Sequence, residues 1–496
     1  MMNGIDLSLI GQEFLFDAQS PMIFTSGLFL FLFLAFVCVY YLLRNSLTPR
    51  IIFVTLFSYY FYYKSSGSHV IILALVTISD WLIARHIYNV GPENRKKQKK
   101  LITLSLLIDL GMLGYFKYTN FLLDCLATLT FTNPLSFDIL LPVGISFFTF
   151  QSLSYTIDIY RGQIKPLDSL LDYAFYVSFF PQLVAGPIIR ARDFIPQIRK
   201  PIVVTEDMFN RGLFLILAGL LKKAVISDYI SVNFVERIFD SPQLYSGLEN
   251  LLGLYGYAIQ IYCDFSGYSD LAIGIALWLG FHFPKNFDSP YKSTSISEFW
   301  RRWHISLSSW LRDYVYISLG GNRKGKWRTY FNLVLTMLIG GLWHGAHLKF
   351  ILWGIMHGIA LAINRAYRIL LGRDKNYRGT RWQNVIGGVL TFHFVLFTWI
   401  FFRADSMTIV NQMLTQIFTA FHPELLGGIL SGYTLVMLLI FVGFFTHLMP
   451  VSYSEKIHTK ISQQNIYVKA LLVVLTIVLI IQVKSCDIQP FIYFQF

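Results

Sequence analysis

Charge is what this chain has least of. Asp, Glu, Lys and Arg make up 14% of its 496 residues, against about 25% in an ordinary soluble domain. Hydrophobic residues make up 55%, and the mean hydropathy is +0.53. Together these exclude a water-soluble globule and predict an integral membrane protein. Cysteine is scarce too. Cys38, Cys125, Cys263 and Cys486 are scattered and no C-x-x-C occurs, which argues against a disulfide framework and a zinc knuckle. Residues 1–21 carry Asp6, Glu13 and Asp17 but no Lys or Arg. A cleavable signal peptide starts with a basic region, so the apolar run at 22–43 is expected to stay as a membrane anchor. No internal repeat and no low-complexity linker divides the chain, and a single membrane domain over 1–496 is expected.

Long apolar runs and basic loops are what is present. The net charge of +13 would point to nucleic acid in a soluble protein. Here the Lys and Arg fall in short loops between apolar runs, where they act as topology determinants facing anionic lipid; no nucleic-acid partner is expected. A spanning helix needs roughly 20 mainly apolar residues. Candidate spans lie near 22–43, 51–63, 68–88, 101–117, 138–160, 208–228, 249–280, 329–345, 350–370, 384–403, 430–448 and 466–485. The predicted fold class is an all-α polytopic membrane protein with about 11–12 spans. The loop "GPENRKKQKK" (91–100) has five basic residues and one acid. Segments 190–200, 285–328 and 365–381 are basic as well. Placing all of these in the cytoplasm gives a consistent alternation, with 229–248, 404–429 and both termini outside.

Two segments fit neither span nor loop. "FFPQLVAGPIIR" (179–190) is apolar but broken by Pro181, Gly186 and Pro187. Irregular backbone at membrane depth needs protein or a water-filled cavity around it, so the segment reads as re-entrant, or else as a short interfacial loop. The second is "STSISEFWRRWHISLSSWLRDYVYISLGGNRKGKW" (293–327). Ser295 with Glu298 has the spacing of a capping box. Trp300, Trp303, Leu307, Trp310, Leu311 and Tyr314 recur on one helical face, with Arg301, Arg302, Ser308, Ser309 and Arg312 mainly elsewhere. That pattern predicts a helix lying in the membrane interface and stopping at Gly320-Gly321.

Chemistry concentrates in "GLWHGAHLKFILWGIMHG" (341–358), where His344, His347 and His357 stand among apolar residues. His344 and His347 are three apart and have the spacing of one helical face, but no Glu, Asp or Cys lies near them in sequence and H-E-x-x-H is absent. A zinc site usually takes three or four such ligands, so no metal is expected. Two roles remain: general base towards a hydroxyl, or a hydrogen bond between helices. An ionisable residue at membrane depth is a functional candidate, and spacing alone does not rank the three. His304 sits among arginines on the proposed in-plane helix. Arg301 and Arg302 suit phosphate or carboxylate groups through charge-assisted hydrogen bonds, whether on a donor substrate or on lipid. Asp264 and Asp270, in "IYCDFSGYSDLAIGIALWLGF" (261–281), read equally as local capping or as the polar lining of a passage.

"DFSGYSDLAIG", "GFHFPKNFDSPYKSTSISEFWRRWHISLSSWLRDYVYISLGGNR" and "GLWHGAHLKFILWGIMHG" together resemble the membrane-bound O-acyltransferases, in particular the bacterial branch of alginate O-acetyltransferase. The resemblance is clear over about 138–370, the expected catalytic core, with 371–496 supplying additional C-terminal helices. R-R-W-H followed by L-W-H-G, forty residues from His to His, is the specific part. The resemblance implies a multi-helix bundle with in-plane and re-entrant helices around a thin centre. It implies His344 as the catalytic base and His304 as a second important histidine. Arg301, Arg302 and Trp343 are taken as candidate contacts for donor or substrate. Relatives in this branch commonly carry a small residue and an aromatic where this chain has His347 and Leu348, so His347 is expected to be a local variation. His357 matches the family pattern, with a packing or hydrogen-bonding role expected.

The implied reaction is acyl transfer without a bound cofactor. The donor is an acyl thioester, acetyl-CoA by family expectation. The acceptor is a hydroxyl of an extracytoplasmic polysaccharide, reached directly or through an acyl-accepting partner protein. The implied location is the bacterial cytoplasmic (inner) membrane. D-alanyl or other acyl transfer to a wall polymer, and a transporter without acyl chemistry, are the alternative readings.

Overall fold

In the computed structural model, residues 11–18, 21–183, 186–372 and 379–483 are described. Asp6, Val184 and Ala185 of the re-entrant candidate, part of the basic segment 365–381, and the tail with Cys486 lie outside them. Among the described residues the chain is helical, with no β-strand. Helices satisfy their own backbone groups, as a bilayer requires. Large apolar residues such as Leu34, Leu56, Leu107 and Leu438 are exposed at 52–69%. Such surface suits lipid and not water.

The expected spans correspond to helices at Gly27–Leu42, Leu47–Ser66, Val70–Val90, Arg95–Thr130, Ile145–Tyr160, Glu206–Leu220, Gly247–Trp278, Lys326–His344, Leu348–Leu370, Arg381–Arg403, Thr434–Leu448 and Ile466–Val483. Fewer of them are long and apolar enough to cross a membrane unaided. Among the described residues, four helical stretches qualify: Leu47–Val90, Pro92–Thr130, Arg381–Arg403 and Ile466–Val483. The pair Pro423–Gly432 and Thr434–Leu448, bent by 97°, makes a fifth. The remaining expected spans are shorter, as Gly27–Leu42 is at 16 residues, or carry polar residues that face inward.

The chain divides into two compact units, Met1–Phe209 with Ala272–Pro284, and Asn210–Leu271 with Lys285–Phe496. In the first, the irregular segment 179–190 is anchored by aromatic packing. The helix Leu170–Ser178 ends before Phe179, and a four-residue helix, Phe180–Leu183, follows. The Phe180 ring, fully buried, sits among Phe29, Phe33, Phe36, Phe57 and Phe61 at centroid distances of 5.1–6.4 Å. Such pairs contribute about 0.5–1.5 kcal/mol each beyond burial. That packing gives the irregular backbone the protein surroundings it needs. The same unit buries Asp80, which accepts a hydrogen bond from Ser105 Oγ at 2.9 Å.

The second unit holds a helical hairpin, Lys326–His344 and Leu348–Leu370. Glycines let its arms meet: a methyl group on Gly341 would overlap the carbonyl of Phe350, and one on Gly354 that of Met337. At the turn, a methyl on Gly345 would overlap the Phe350 ring. The chain therefore leaves the first helix directly after His344.

The stretch 293–327 departs from the single helix expected. It forms Ile296–Arg302, then Ile305–Trp310, then a π-helical segment Leu311–Tyr316. The break falls at His304, whose φ is +42°, a conformation uncommon outside glycine. The apolar face survives the break, since Trp300, Trp303, Leu307, Trp310, Leu311 and Tyr314 are all buried. The capping box is only half made. Ser295 Oγ accepts from Glu298 N at 3.3 Å, but the Glu298 carboxylate turns to Thr294 N and Oγ1, both at 2.9 Å. Gly320 and Gly321, at φ +103° and +56°, take the left-handed turn after the segment.

Candidate active site

His344 is the last residue of its helix and is 2% exposed. Three aromatic rings meet its imidazole edge-on: Trp343 at 5.0 Å, Trp353 at 5.1 Å and Phe402 at 5.1 Å. Trp353 comes from the second arm of the hairpin and Phe402 from the end of Arg381–Arg403. Three helices thus build a dry aromatic pocket around one titratable ring. Low local dielectric strengthens any polar contact made there.

His304 is fully buried. Asn286 fixes its orientation. The Asn286 amide nitrogen donates to Ser269 Oγ at 3.1 Å, so the amide oxygen points the other way. That oxygen accepts from Ser306 N at 3.2 Å and Ser306 Oγ at 2.9 Å. It also lies 3.3 Å from His304 Nδ1. An oxygen only accepts, so His304 Nδ1 carries the proton and Nε2 keeps the lone pair. The backbone is clamped as well: Ile305 N donates to Asn286 O at 2.9 Å. The left-handed break at His304 is therefore imposed by a tertiary contact. The ring itself packs on Phe265 at 4.5 Å.

Trp343 links the two histidines. Its ring is 5.9 Å from His304 and 5.0 Å from His344. The other histidines separate from this pair. His357 Nδ1 accepts from Trp300 Nε1 at 3.3 Å. Its Nε2 then donates to Thr398 Oγ1 at 3.0 Å, and that hydroxyl donates to Val395 O at 2.8 Å. Both ring nitrogens are engaged in joining three helices, which is the hydrogen-bonding role expected. His347 is exposed and caps Leu348–Leu370, its Nδ1 accepting from Lys349 N at 3.2 Å. It shares no helical face with His344, because the helix ends between them. Among the described residues no three His, Cys, Asp or Glu side chains come together to hold a metal ion.

The two arginines part company. Arg302 bonds Glu298 at 2.8 Å and Asp288 at 3.5 Å, and donates to Asp288 O at 3.0 Å. It ties the helix Ile296–Arg302 to the preceding loop. There Asp288 is held below the usual carboxylate range, mainly by the hydrogen bond from Lys285. Arg301 is exposed and lines a cleft of about 760 Å³.

Asp264 and Asp270 are ion-paired, which decides between capping and an open polar lining. Lys223 Nζ lies 2.6 Å from Asp264 and 2.7 Å from Asp228, and Lys222 Nζ lies 2.6 Å from Asp270. Both lysines belong to a π-helical segment, Leu221–Ser227. Sequence reasoning missed these partners, although two adjacent lysines in an apolar run were visible. Asn286, Trp353 and Phe402 were also missed; none carries a local signal, because their roles depend on contacts far along the chain.

In comparison with known proteins, residues 164–404 match the profile of the membrane-bound O-acyltransferase family. The chain is 38% identical to a probable alginate O-acetylase of Pseudomonas putida, over 96% of this chain and 100% of the relative. It is 36% identical to a peptidoglycan O-acetyltransferase of Helicobacter pylori over 78% of each. It is 33% identical to a teichoic acid D-alanyltransferase of Bacillus subtilis, over 51% of this chain and 67% of the relative.

Proposed function

Because the chain belongs to the membrane-bound O-acyltransferase family, we propose that it moves an acetyl group from a cytoplasmic thioester, acetyl-CoA, towards hydroxyls of an extracytoplasmic polysaccharide. It is a multi-pass membrane O-acyltransferase acting on polysaccharide; the donor, the direction and the cytoplasmic-membrane location are our reading. Family membership sets aside the transporter alternative. The observation that carries the reading is His344 itself, a histidine enclosed by Trp343, Trp353 and Phe402 and linked to His304 by one tryptophan.

In the proposed step, a ring nitrogen of His344 takes the proton of the acceptor hydroxyl as its oxygen attacks the thioester carbonyl carbon. A C–O bond forms, and negative charge develops on the carbonyl oxygen. The C–S bond then breaks, and the imidazolium returns the proton to the leaving thiolate. The aromatic walls exclude water, so the thioester meets the acceptor and not hydroxide. Trp343, lying against both rings, is placed as the wall for the acyl group. His304, held in one tautomer by Asn286, orients the donor or the developing charge. A preorganised group of that kind contributes about 3 kcal/mol.

The D-alanyl alternative has support from the teichoic acid relative. Both readings are tested by supplying membranes that contain the protein with isotopically labelled acetyl-CoA. Mass spectrometry then follows the label into polymer ester or onto a protein intermediary. Label in neither, with D-alanyl ester found on the polymer, would replace acetyl by D-alanyl. Ester on a secreted protein before the polymer would establish the partner relay.

A further inference from the structure

The cleft beside Arg301 belongs to neither histidine pocket. It is framed by Ile296–Arg302, the C-terminal half of Leu348–Leu370 and the N-terminal half of Arg381–Arg403. At about 760 Å³ it is large enough for a small ligand or a headgroup. Its chemistry runs in one direction. At one end stand Arg301, Arg368, Asn364, Gln383 and Asn384. At the other, the wall is Ile363, Ile386 and Leu390, which are 63%, 56% and 66% exposed.

Two features identify the ligand. The first is charge. Glu298 is the one acid in the lining, and its carboxylate is engaged by Thr294 and Arg302. Arg301 makes no ion pair with any described residue, so the polar end carries positive charge that the lining does not balance. Arginine forks suit phosphate oxygens. The second is the gradient along the helices. From Gln383 to Leu390 the wall passes from amide to aliphatic over roughly 10 Å of helix. Arg381–Arg403 is one of the helices apolar enough to cross a membrane. On the neighbouring helix, Arg368 and Asn364 precede Ile363 in the same sense. A phosphate at the basic end with acyl chains along the aliphatic end fits both features. Arginine near an anionic leaflet is attracted to such headgroups.

We propose that the cleft between Arg301 and Arg368 binds the phosphate of an anionic phospholipid, whose acyl chains lie along Ile363, Ile386 and Leu390. The site rests only on the chain's residence in a bilayer, not on the acyl chemistry. The same phosphate recognition would suit the phosphates of a thioester donor, so the experiment separates the two sources.

Purified protein is placed in phosphatidylcholine nanodiscs doped with phosphatidylglycerol. Retained phosphatidylglycerol is counted by native mass spectrometry after release, with and without free coenzyme A. The expected result is preferential retention of phosphatidylglycerol, unaffected by coenzyme A and reduced at least tenfold in Arg301→Gln/Arg368→Gln. The Arg301→Lys/Arg368→Lys variant is expected to keep part of it. Equal retention in the parent and the Gln variant overturns the site. Displacement of phosphatidylglycerol by coenzyme A from the parent protein overturns the lipid source in favour of the donor. If the Gln variant does not fold, the Lys variant and the competition on the parent decide between the same outcomes.

Discussion

Replacing Asn286 by Ala removes the oxygen that accepts from Ser306 N, Ser306 Oγ and His304 Nδ1, and the amide that donates to Ser269. The residue is 1% exposed, so water does not take over. The Ser306 N–H is left unsatisfied, at a cost of about 1–3 kcal/mol, and the two hydroxyls and the imidazole lose about 1 kcal/mol or less each. The sum is on the order of 3–5 kcal/mol. Ser269→Ala supplies an internal scale, because it removes one of the four contacts and is expected to cost about 1 kcal/mol. Cys263 gives the readout, since it is buried while Cys38 and Cys125 are exposed. With Cys38, Cys125 and Cys486 changed to Ser, a thiol-reactive dye reports unfolding through Cys263 alone. Asn286→Ala is expected to lower the apparent melting temperature several times more than Ser269→Ala does. Below that temperature it is expected to lower acyl transfer more than tenfold, because His304 loses its tautomer and position. A melting shift no larger than that of Ser269→Ala would refute the reasoning.

Three further outcomes are expected. His357→Ala breaks the bonds to Trp300 and Thr398 and is expected to cost about 2–4 kcal/mol. Transfer per folded molecule should be retained, and an inactive but fully stable variant would contradict the packing role. His347→Ala removes the cap on Lys349 N, at about 1 kcal/mol, with most ester formation preserved in cells; complete loss would place His347 in the chemistry. Asp288, whose folded pKa lies below its ordinary value, contributes stability above pH ~4 that is lost as pH falls through the folded value. Hydrogen exchange across 285–302 should therefore rise on acidification in the parent and be less pH-dependent in Asp288→Asn. An unchanged acid response in that variant would assign it to another group.

The spans were legible because each is a nearly unbroken apolar run, and the aromatic face of 296–314 was legible because helical spacing survives a break in the helix. The break at His304 was not, since neither glycine nor proline marks it; Asn286, eighteen residues earlier, imposes it. The bend between Gly432 and Thr434 is likewise unmarked by proline. His344 and His347 looked like one helical face because spacing was read across Gly345, which is where the helix stops. Asp264 and Asp270 stayed ambiguous because their lysine partners lie more than forty residues upstream, in a segment that departs from the α-helical period. Family resemblance separated His344 from its neighbours in the sequence. The geometry adds the reason His357 differs: both of its nitrogens are engaged.

The central claim is that His344 takes the acceptor's proton. His344→Ala, shown to be folded by the Cys263 dye assay, is compared with the parent for acetyl ester on the cell's polysaccharide. The account predicts ester at the background of cells lacking the protein. Ester at the parent level in the folded variant would contradict it.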